Sequence, residues 1–388
     1  MLAVAVKKIL IETFLQLAGQ YPVLDVRSPG EYGHARIPGA YSFPLFSDDE
    51  RRIVGTAYKQ QNRETAIKIG LDFFGSRLKQ VVEEAETISR NHKSNPNYET
   101  SGGRNLSKES EQGSGIILVH CWRGGMRSEA IGWLLDLYGF RVFSLAGGYK
   151  MFRRWVLEKF QQPYSFSVLG GYTGSGKTML LKELCKQGEP VIDLEALAHH
   201  KGSAFGDLGE DKQPSQEMFE NELALQLALK GGMGISCQPG TSDHLPYETR
   251  NIWLEDESQR IGSINIQQAL WMSMRRSPLY FLDIPFEERL ETLLAGYAPF
   301  GKENLSNAIL RINKRLGGLG TRMALDYLAE DNFRECFRIL LKYYDKFYSK
   351  SLHNRSDLNS LLTKIQAGDT DSKANSERLL RMKIPLGT

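Results

Sequence analysis

Short apolar runs bounded by turn residues recur along this chain, separated by stretches with an apolar residue every three or four positions. "PVLDV" (22–26) and "GIILVHC" (115–121) each read as a strand buried on both faces. "SEAIGWLLDLYG" (128–139) carries the helical period, "FRVFSLAGG" (140–148) reads as strand and turn, and "YKMFRRWVLEKF" (149–160) as a further helix. Such alternation predicts an α/β fold with a parallel sheet covered by helices. The polar stretch 91–115, rich in Ser, Asn and Gly, cannot bury enough apolar area to order itself and predicts a mobile loop. After "QQPYS" (161–165) a second series begins: "SFSVLGG" (165–171), "EPVIDLEALA" (189–198), "NIWLEDES" (251–258) and "SPLYFLDIPFEERLETLLAGY" (277–297). Residues 303–353 look helical. The expected layout is therefore a first domain over 1–160, a second over 161–355 with helices at its end, and a loosely held polar tail over 356–388.

Composition narrows this picture only a little. At 388 residues two domains are the natural division, and 41% apolar with 24% charged residues is ordinary for a globular chain. No apolar run is long enough to cross a bilayer, and Lys7 and Lys8 interrupt the apolar amino terminus, which argues against a signal peptide. The four cysteines stand far apart without a CxxC pair, so a reducing cytoplasm is expected rather than a disulfide or zinc framework. A net charge of +3 selects no partner, and the sequence leaves the oligomeric state open.

The placement of Cys121 is more telling. It follows a strand directly, precedes a helix expected from about Ser128, and is separated from it by "WRGGMR". Backbone N–H groups of such a loop can turn toward the sulfur, and the helix N-terminus adds partial positive charge. Arg123 and Arg127 add full charges, and Gly124 and Gly125 supply backbone freedom; together with Trp122 and Met126 these residues form a candidate anion loop. Each feature favours thiolate, the nucleophilic form. Cys121 to Arg127 has the C-x5-R spacing of cysteine-dependent phosphatases, while rhodanese-type sulfurtransferases place a similar loop at the same junction. "LDVRSPGEY" (24–32) followed by "IPGA" (37–40) resembles the rhodanese pattern, with Asp25 and Arg27 at a strand end, although Ala35-Arg36 stands where a Gly-His pair is common. Asp25 and Arg27 could equally serve as a buried structural ion pair.

A second candidate cradle is "GYTGSGKT" (171–178), which fits G-x4-G-K-[ST] between a strand and an apolar-periodic helix. Gly171, Gly174, Ser175 and Gly176 would wrap a diphosphate, Lys177 would offset its charge and Thr178 could hold Mg²⁺. The metal's carboxylate could be Glu255 or Asp256, with Glu257, Asp193 and Glu195 also in play; His199 and His200 read as loop or phosphate-contact residues. Lys342, Lys346 and Lys350 recur every four residues and could make one basic helix face.

Taken together, "CWRGGMRS", "LAGGYKMFRRW", "GYTGSGKT", "DLEALAHHKGSAFG", "QPSQEMFENEL", "WLEDESQRIG" and "YYDKFYSKS" resemble the tRNA 2-selenouridine synthases over nearly the whole chain. That resemblance implies an N-terminal rhodanese-like parallel-sheet domain followed by a P-loop NTPase-like α/β domain. It implies replacement of the sulfur of 2-thiouridine at the wobble position of tRNA by selenium from selenophosphate. It also implies an S-geranyl-2-thiouridine intermediate made with geranyl diphosphate, and puts the family's essential cysteine, an S-selanylcysteine nucleophile, at Cys121. Three rivals stay open on the residues alone: a cysteine-dependent phosphatase fused to a P-loop kinase-like domain, an ATP-dependent tRNA thiolase, and a nucleotide-binding regulator with an inert rhodanese module.

Overall fold

The computed structural model describes residues 6–93, 115–232 and 250–383. Most of the expected polar loop 91–115 and of the segment 231–250 lies outside these residues. The chain divides into two compact units: Met1–Gln162 with Glu220–Glu248, and Pro163–Phe219 with Thr249–Thr388. The helix Gln216–Lys230 therefore contributes most of its length to the first unit, where the sequence suggests the second domain. Its buried Asn221 explains why: the amide donates to the Tyr149 hydroxyl and the Arg36 carbonyl, each at 2.8 Å, and accepts from Arg153 at 2.6 Å.

The first unit is built on five parallel strands: β1 (Lys7–Ile9), β2 (Val23–Asp25), β3 (Tyr41–Ser42), β4 (Ile116–His120) and β5 (Arg141–Leu145), in the order β1-β5-β4-β2-β3. Strands β2 and β4 are almost wholly buried, as their unbroken apolar runs require. Asp25 pairs in register with His120, so the carboxyl ends of the two central strands, and whatever follows them, meet. In open parallel sheets that edge is where ligands bind. Three helices absent from the sequence reading, Asp48–Gln60, Arg63–Gly75 and Leu78–Asn91, fill the connection from β3 toward β4. The first starts at a reciprocal cap between Ser47 and Glu50, and the second is capped by Asn62. The helix after Cys121 runs Met126–Tyr138, two residues earlier than expected, because Gly125 serves as its N-cap.

The second unit holds four parallel strands, β6 (Ser165–Gly171), β7 (Asn251–Glu255), β10 (Leu279–Asp283) and β11 (Leu362–Gln366), in the order β11-β10-β6-β7, with a small antiparallel pair, β8 (Arg260–Ile261) and β9 (Ile264–Asn265). The helical stretch after residue 300 is present as Gly301–Arg311, Gly318–Ala329 and the long Phe333–His353, packed through Leu305, Ile309, Phe337, Leu340 and Leu341. The expected loose tail is a correction. Strand β11 pairs with β10 over Leu279–Leu362 to Asp283–Gln366, and the helix Ser372–Lys383 buries Leu379 against Leu180, Leu181 and Leu184. An edge strand keeps one polar side, and one buried Ile365 among polar neighbours is too weak a pattern to read. Among the described residues no helix is long and apolar enough to cross a membrane.

Candidate functional site

In the first unit Cys121 follows β4 at the carboxyl edge of the sheet, buried to 4% exposure. The Gly125 N–H donates to its Sγ at 3.3 Å, and Ser128 Oγ donates at the same distance while also bonding the Gly125 carbonyl at 2.9 Å. Burial pushes the thiol up. Hydrogen bonds from the Ser128 hydroxyl and from the N–H groups of Ser128, Gly125 and Arg123 outweigh it, so the pKa lies below that of an ordinary cysteine.

The loop is clamped from behind by the turn after β5. Tyr149 N–H donates to the Cys121 carbonyl at 2.8 Å, and Lys150 N–H to the Trp122 carbonyl at 3.0 Å. This close approach requires glycine: Gly148 has φ +59°, and a Cβ there would lie 2.4 Å from the Cys121 carbonyl oxygen. Tyr149 itself is fully buried and stacks beneath the Arg27 guanidinium, 3.7 Å from its ring centre.

Asp25 and Arg27 form a buried bidentate pair, with Nε and Nη2 of Arg27 at 2.9 and 2.6 Å from Asp25, and Arg27 also donates to the Ala35 carbonyl at 2.7 Å. They join strand end to loop through hydrogen bonds to each other and to the Ala35 carbonyl. His120, buried with its Nε2 3.7 Å from Asp25, is held neutral by burial, which pulls its pKa below the usual value. Arg127 is committed to Glu31 at 2.8 Å, and Arg51 reaches the same carboxylate at 2.9 Å. Despite partial burial, these arginines and the Ser28 N–H hold Glu31 at about 2. Arg51 was not legible as a site residue, since its helix, Asp48–Gln60, was itself absent from the sequence reading. Trp122 and Met126 stay substantially exposed on the loop, and Gly124 has φ +67°.

In the second unit "GYTGSGKT" joins β6 to the helix Lys177–Lys186, the strand–loop–helix context the motif requires. Gly174, at φ +80°, lets the loop lie against the Arg289 carbonyl, 2.6 Å from where a Cβ would stand. Arg289 is buried, doubly paired with Asp345 at 2.8 Å and bonded to the Thr173 carbonyl at 3.1 Å, so it props the loop from outside. Lys177 Nζ donates to the Gly171 carbonyl at 2.7 Å, and the buried Ser175 hydroxyl has no hydrogen-bond partner. Gly176 caps the helix. A loop with an ammonium turned on its own carbonyl and an unused hydroxyl has the donors a diphosphate would take.

The carboxylate beside Thr178 is Glu195, whose Oε2 accepts from the Thr178 hydroxyl at 3.3 Å. Glu255 stands behind it: its Oε1 accepts from the Glu195 N–H at 2.8 Å, and its buried Oε2 has no partner. Asp256 faces elsewhere, engaged by Arg355 and Tyr348 at 2.8 Å each. Burial first, and then mutual repulsion with Asp193, Glu195 and Glu257, pushes Glu255 well above the carboxylate range. Glu257 is raised the same way, and Glu195 is raised by burial although Lys177 pulls it down. His199 and His200 are occupied by backbone groups of their own loops. Among the described residues no group of three or more His, Cys, Asp or Glu is arranged to hold a metal.

The comparisons agree with both halves. A rhodanese-like domain model matches residues 10–154, and a tRNA 2-selenouridine synthase AAA domain model matches residues 164–302. The chain is similar to the tRNA 2-selenouridine synthase of Pseudomonas putida (strain GB-1), 32% identical over 84% of this chain and 87% of the relative. It is likewise similar to that of Sulfurovum sp. (strain NBC37-1), 31% identical over 86% and 90%, and that of Shewanella loihica (strain ATCC BAA-1088 / PV-4), 32% identical over 88% and 90%. With two family models and relatives at 31–32% identity over most of both chains in agreement, this chain belongs to the tRNA 2-selenouridine synthase family.

Proposed function

We propose that the protein replaces the sulfur of wobble 2-thiouridine in tRNA by selenium, with geranylation as the first half of the reaction and selenium transfer as the second. The observation that carries this reading is Cys121: a thiol held toward thiolate by four donors, in a loop of N–H groups suited to a tetrahedral anion such as selenophosphate. In the second unit, Lys177, Ser175 and the loop N–H groups would hold the diphosphate of geranyl diphosphate and stabilise its charge as it departs. Thr178 and Glu195, hydrogen-bonded at 3.3 Å, would hold Mg²⁺, whose positive charge would offset that of the leaving diphosphate. Alkylation turns the thiocarbonyl sulfur into a thioether, a better leaving group at C2. Exposed Lys342, Lys346 and Lys350 on the helix Phe333–His353 would contact tRNA phosphates, with affinity falling as salt rises.

The test is nucleoside mass spectrometry on 2-thiouridine tRNA incubated with geranyl diphosphate, Mg²⁺ and selenophosphate. Wild type should yield 2-selenouridine, and Cys121→Ala should stop at the S-geranyl base. An unchanged base with wild type would falsify the reading. Intact-protein mass spectrometry with selenophosphate tests the route: selenophosphate carries selenide-level selenium, so without an added oxidant Cys121 should stay unmodified while selenophosphate attacks C2 directly, and a thiol-labile selenium adduct on Cys121 would overturn that route.

A further inference from the structure

The first unit also contains a groove of about 990 Å³ that the chemistry so far does not use. It lies between the helices Asp48–Gln60 and Arg63–Gly75 and is closed on one side by Gly125, Met126 and Arg127. Those three belong to the Cys121 loop, and the N–H of Gly125 is the same group that reaches Sγ at 3.3 Å. Buried Phe46 and Phe74 form its floor. Along its walls Ile67, Leu71 and Met126 expose 37%, 57% and 44% of their surface, a concentration of apolar area that a free surface helix pair would not retain without use. At its rim Arg51 and Arg127 are paired with Glu31 and Arg52 with Asp49, which leaves Arg123 as the arginine there with no ion pair among the described residues.

We propose that this groove seats the geranyl chain of the S-geranyl base while selenium is delivered beside Cys121. The inference rests on the reading given under Proposed function and adds where the chain is recognised. A bare selenophosphate anion would use none of the apolar wall, and an unalkylated base would leave most of it wet. An alkyl chain bonded to an atom within reach of Cys121 would run past Gly125 and Met126 along the apolar wall and occupy part of the groove, while Arg123 at the rim would meet an RNA phosphate. In the step itself the C2–Se bond forms and the C2–S bond breaks. Geranylthiolate leaves with that electron pair and takes a proton from water, and a second water hydrolyses the Se–P bond to inorganic phosphate. The groove thus makes the chain length of the leaving group a specificity determinant of the selenium step.

Gly55 offers a clean test, because it lines the groove inside a helix and a Cβ there meets nothing within 4 Å. With the full chain, selenation is followed on tRNA carrying S-geranyl- or S-methyl-2-thiouridine, with selenophosphate as donor. Wild type should favour the geranyl substrate in kcat/KM. Gly55→Leu, which fills the groove, should cut the geranyl-to-methyl ratio by about tenfold. Leu71→Glu should act in the same direction, and Gly55→Ala should keep the wild-type ratio. A ratio unmoved by Gly55→Leu and Leu71→Glu, or no chain-length preference in wild type, overturns the assignment. If Gly55→Leu instead alters sedimentation with the ratio intact, the groove is an interface between copies and the proposal fails. Failure of wild type to selenate either base overturns the function reading, and the groove assignment with it.

Discussion

The two loops of this protein both join a strand to a helix and both present backbone and side-chain donors, yet they differ in how those donors are engaged. Around Cys121 the carboxylates and the sulfur are already matched: Asp25 by Arg27, Glu31 by Arg51 and Arg127, and the sulfur by N–H and O–H donors. Around Lys177 the matching is incomplete, although its ammonium is near enough to Glu195 and Glu257 to pull their pKa values down. The ammonium rests on the Gly171 carbonyl, the Ser175 hydroxyl is unused, and three carboxyls crowd together with raised pKa values. The first loop surrounds a group the chain itself supplies, the Cys121 sulfur, whose donors are engaged at rest. On the reading proposed above, the second loop would receive its diphosphate from solution, and its donors are parked where they can be released. Resident and incoming anions demand different resting electrostatics.

The sharpest way to break this contrast is Arg27→Ala. It leaves Asp25 buried without its partner and should cost about 3–5 kcal/mol in denaturant unfolding; a loss under about 1 kcal/mol would show that the first cradle does not depend on matched charge. Next in size, Lys177→Ala should lower geranylation of 2-thiouridine tRNA about 100-fold while Cys121 keeps its reactivity toward alkylation. Intact geranylation would remove the diphosphate from the second loop. Ser128→Ala takes one donor from the sulfur, so alkylation of Cys121 near neutral pH, quantified on its own peptide, should slow about fivefold. The rate-versus-pH curve should also move to higher pH. The smallest effect is expected from Glu255→Gln. Burial raises the acid's pKa in the folded chain above its ordinary value in the unfolded one, so its stabilisation is complete below the unfolded value and is lost as pH rises through the folded pKa. The glutamine variant should therefore gain about 1 kcal/mol over wild type by calorimetry near neutral pH, with no gain at about pH 4. An equal difference at both pH values would mean the carboxyl is ionised in the fold.

Much of this was legible without coordinates, because both cradles are local. A loop between a strand and the next helix is specified by a dozen consecutive residues, so Cys121 with "WRGGMR" and "GYTGSGKT" announced themselves by spacing and glycine content. The helices Asp48–Gln60 and Arg63–Gly75 had weaker signals, chiefly the "SDDE" cap, and their amphipathic faces are shallow with most residues exposed. With them went Arg51 and the groove. Strand β11 escaped for a related reason: an edge strand buries little and reads like a polar tail.

By itself, then, the sequence determined the two αβ series, the order of the two loops, the place of Cys121 between strand and helix, and the family. The tertiary structure alone decided which distant residues complete each cradle. Arg51 was brought to Glu31, Gly148 to the back of the Cys121 loop, Glu195 rather than Asp256 to Thr178, and Arg289 to the outer face of the Walker loop. The physical reason is that a loop's donors are set by neighbouring residues along the chain. The partners of a buried charge are whichever groups the sheet register and helix packing carry within about 3 Å, and no local pattern encodes that.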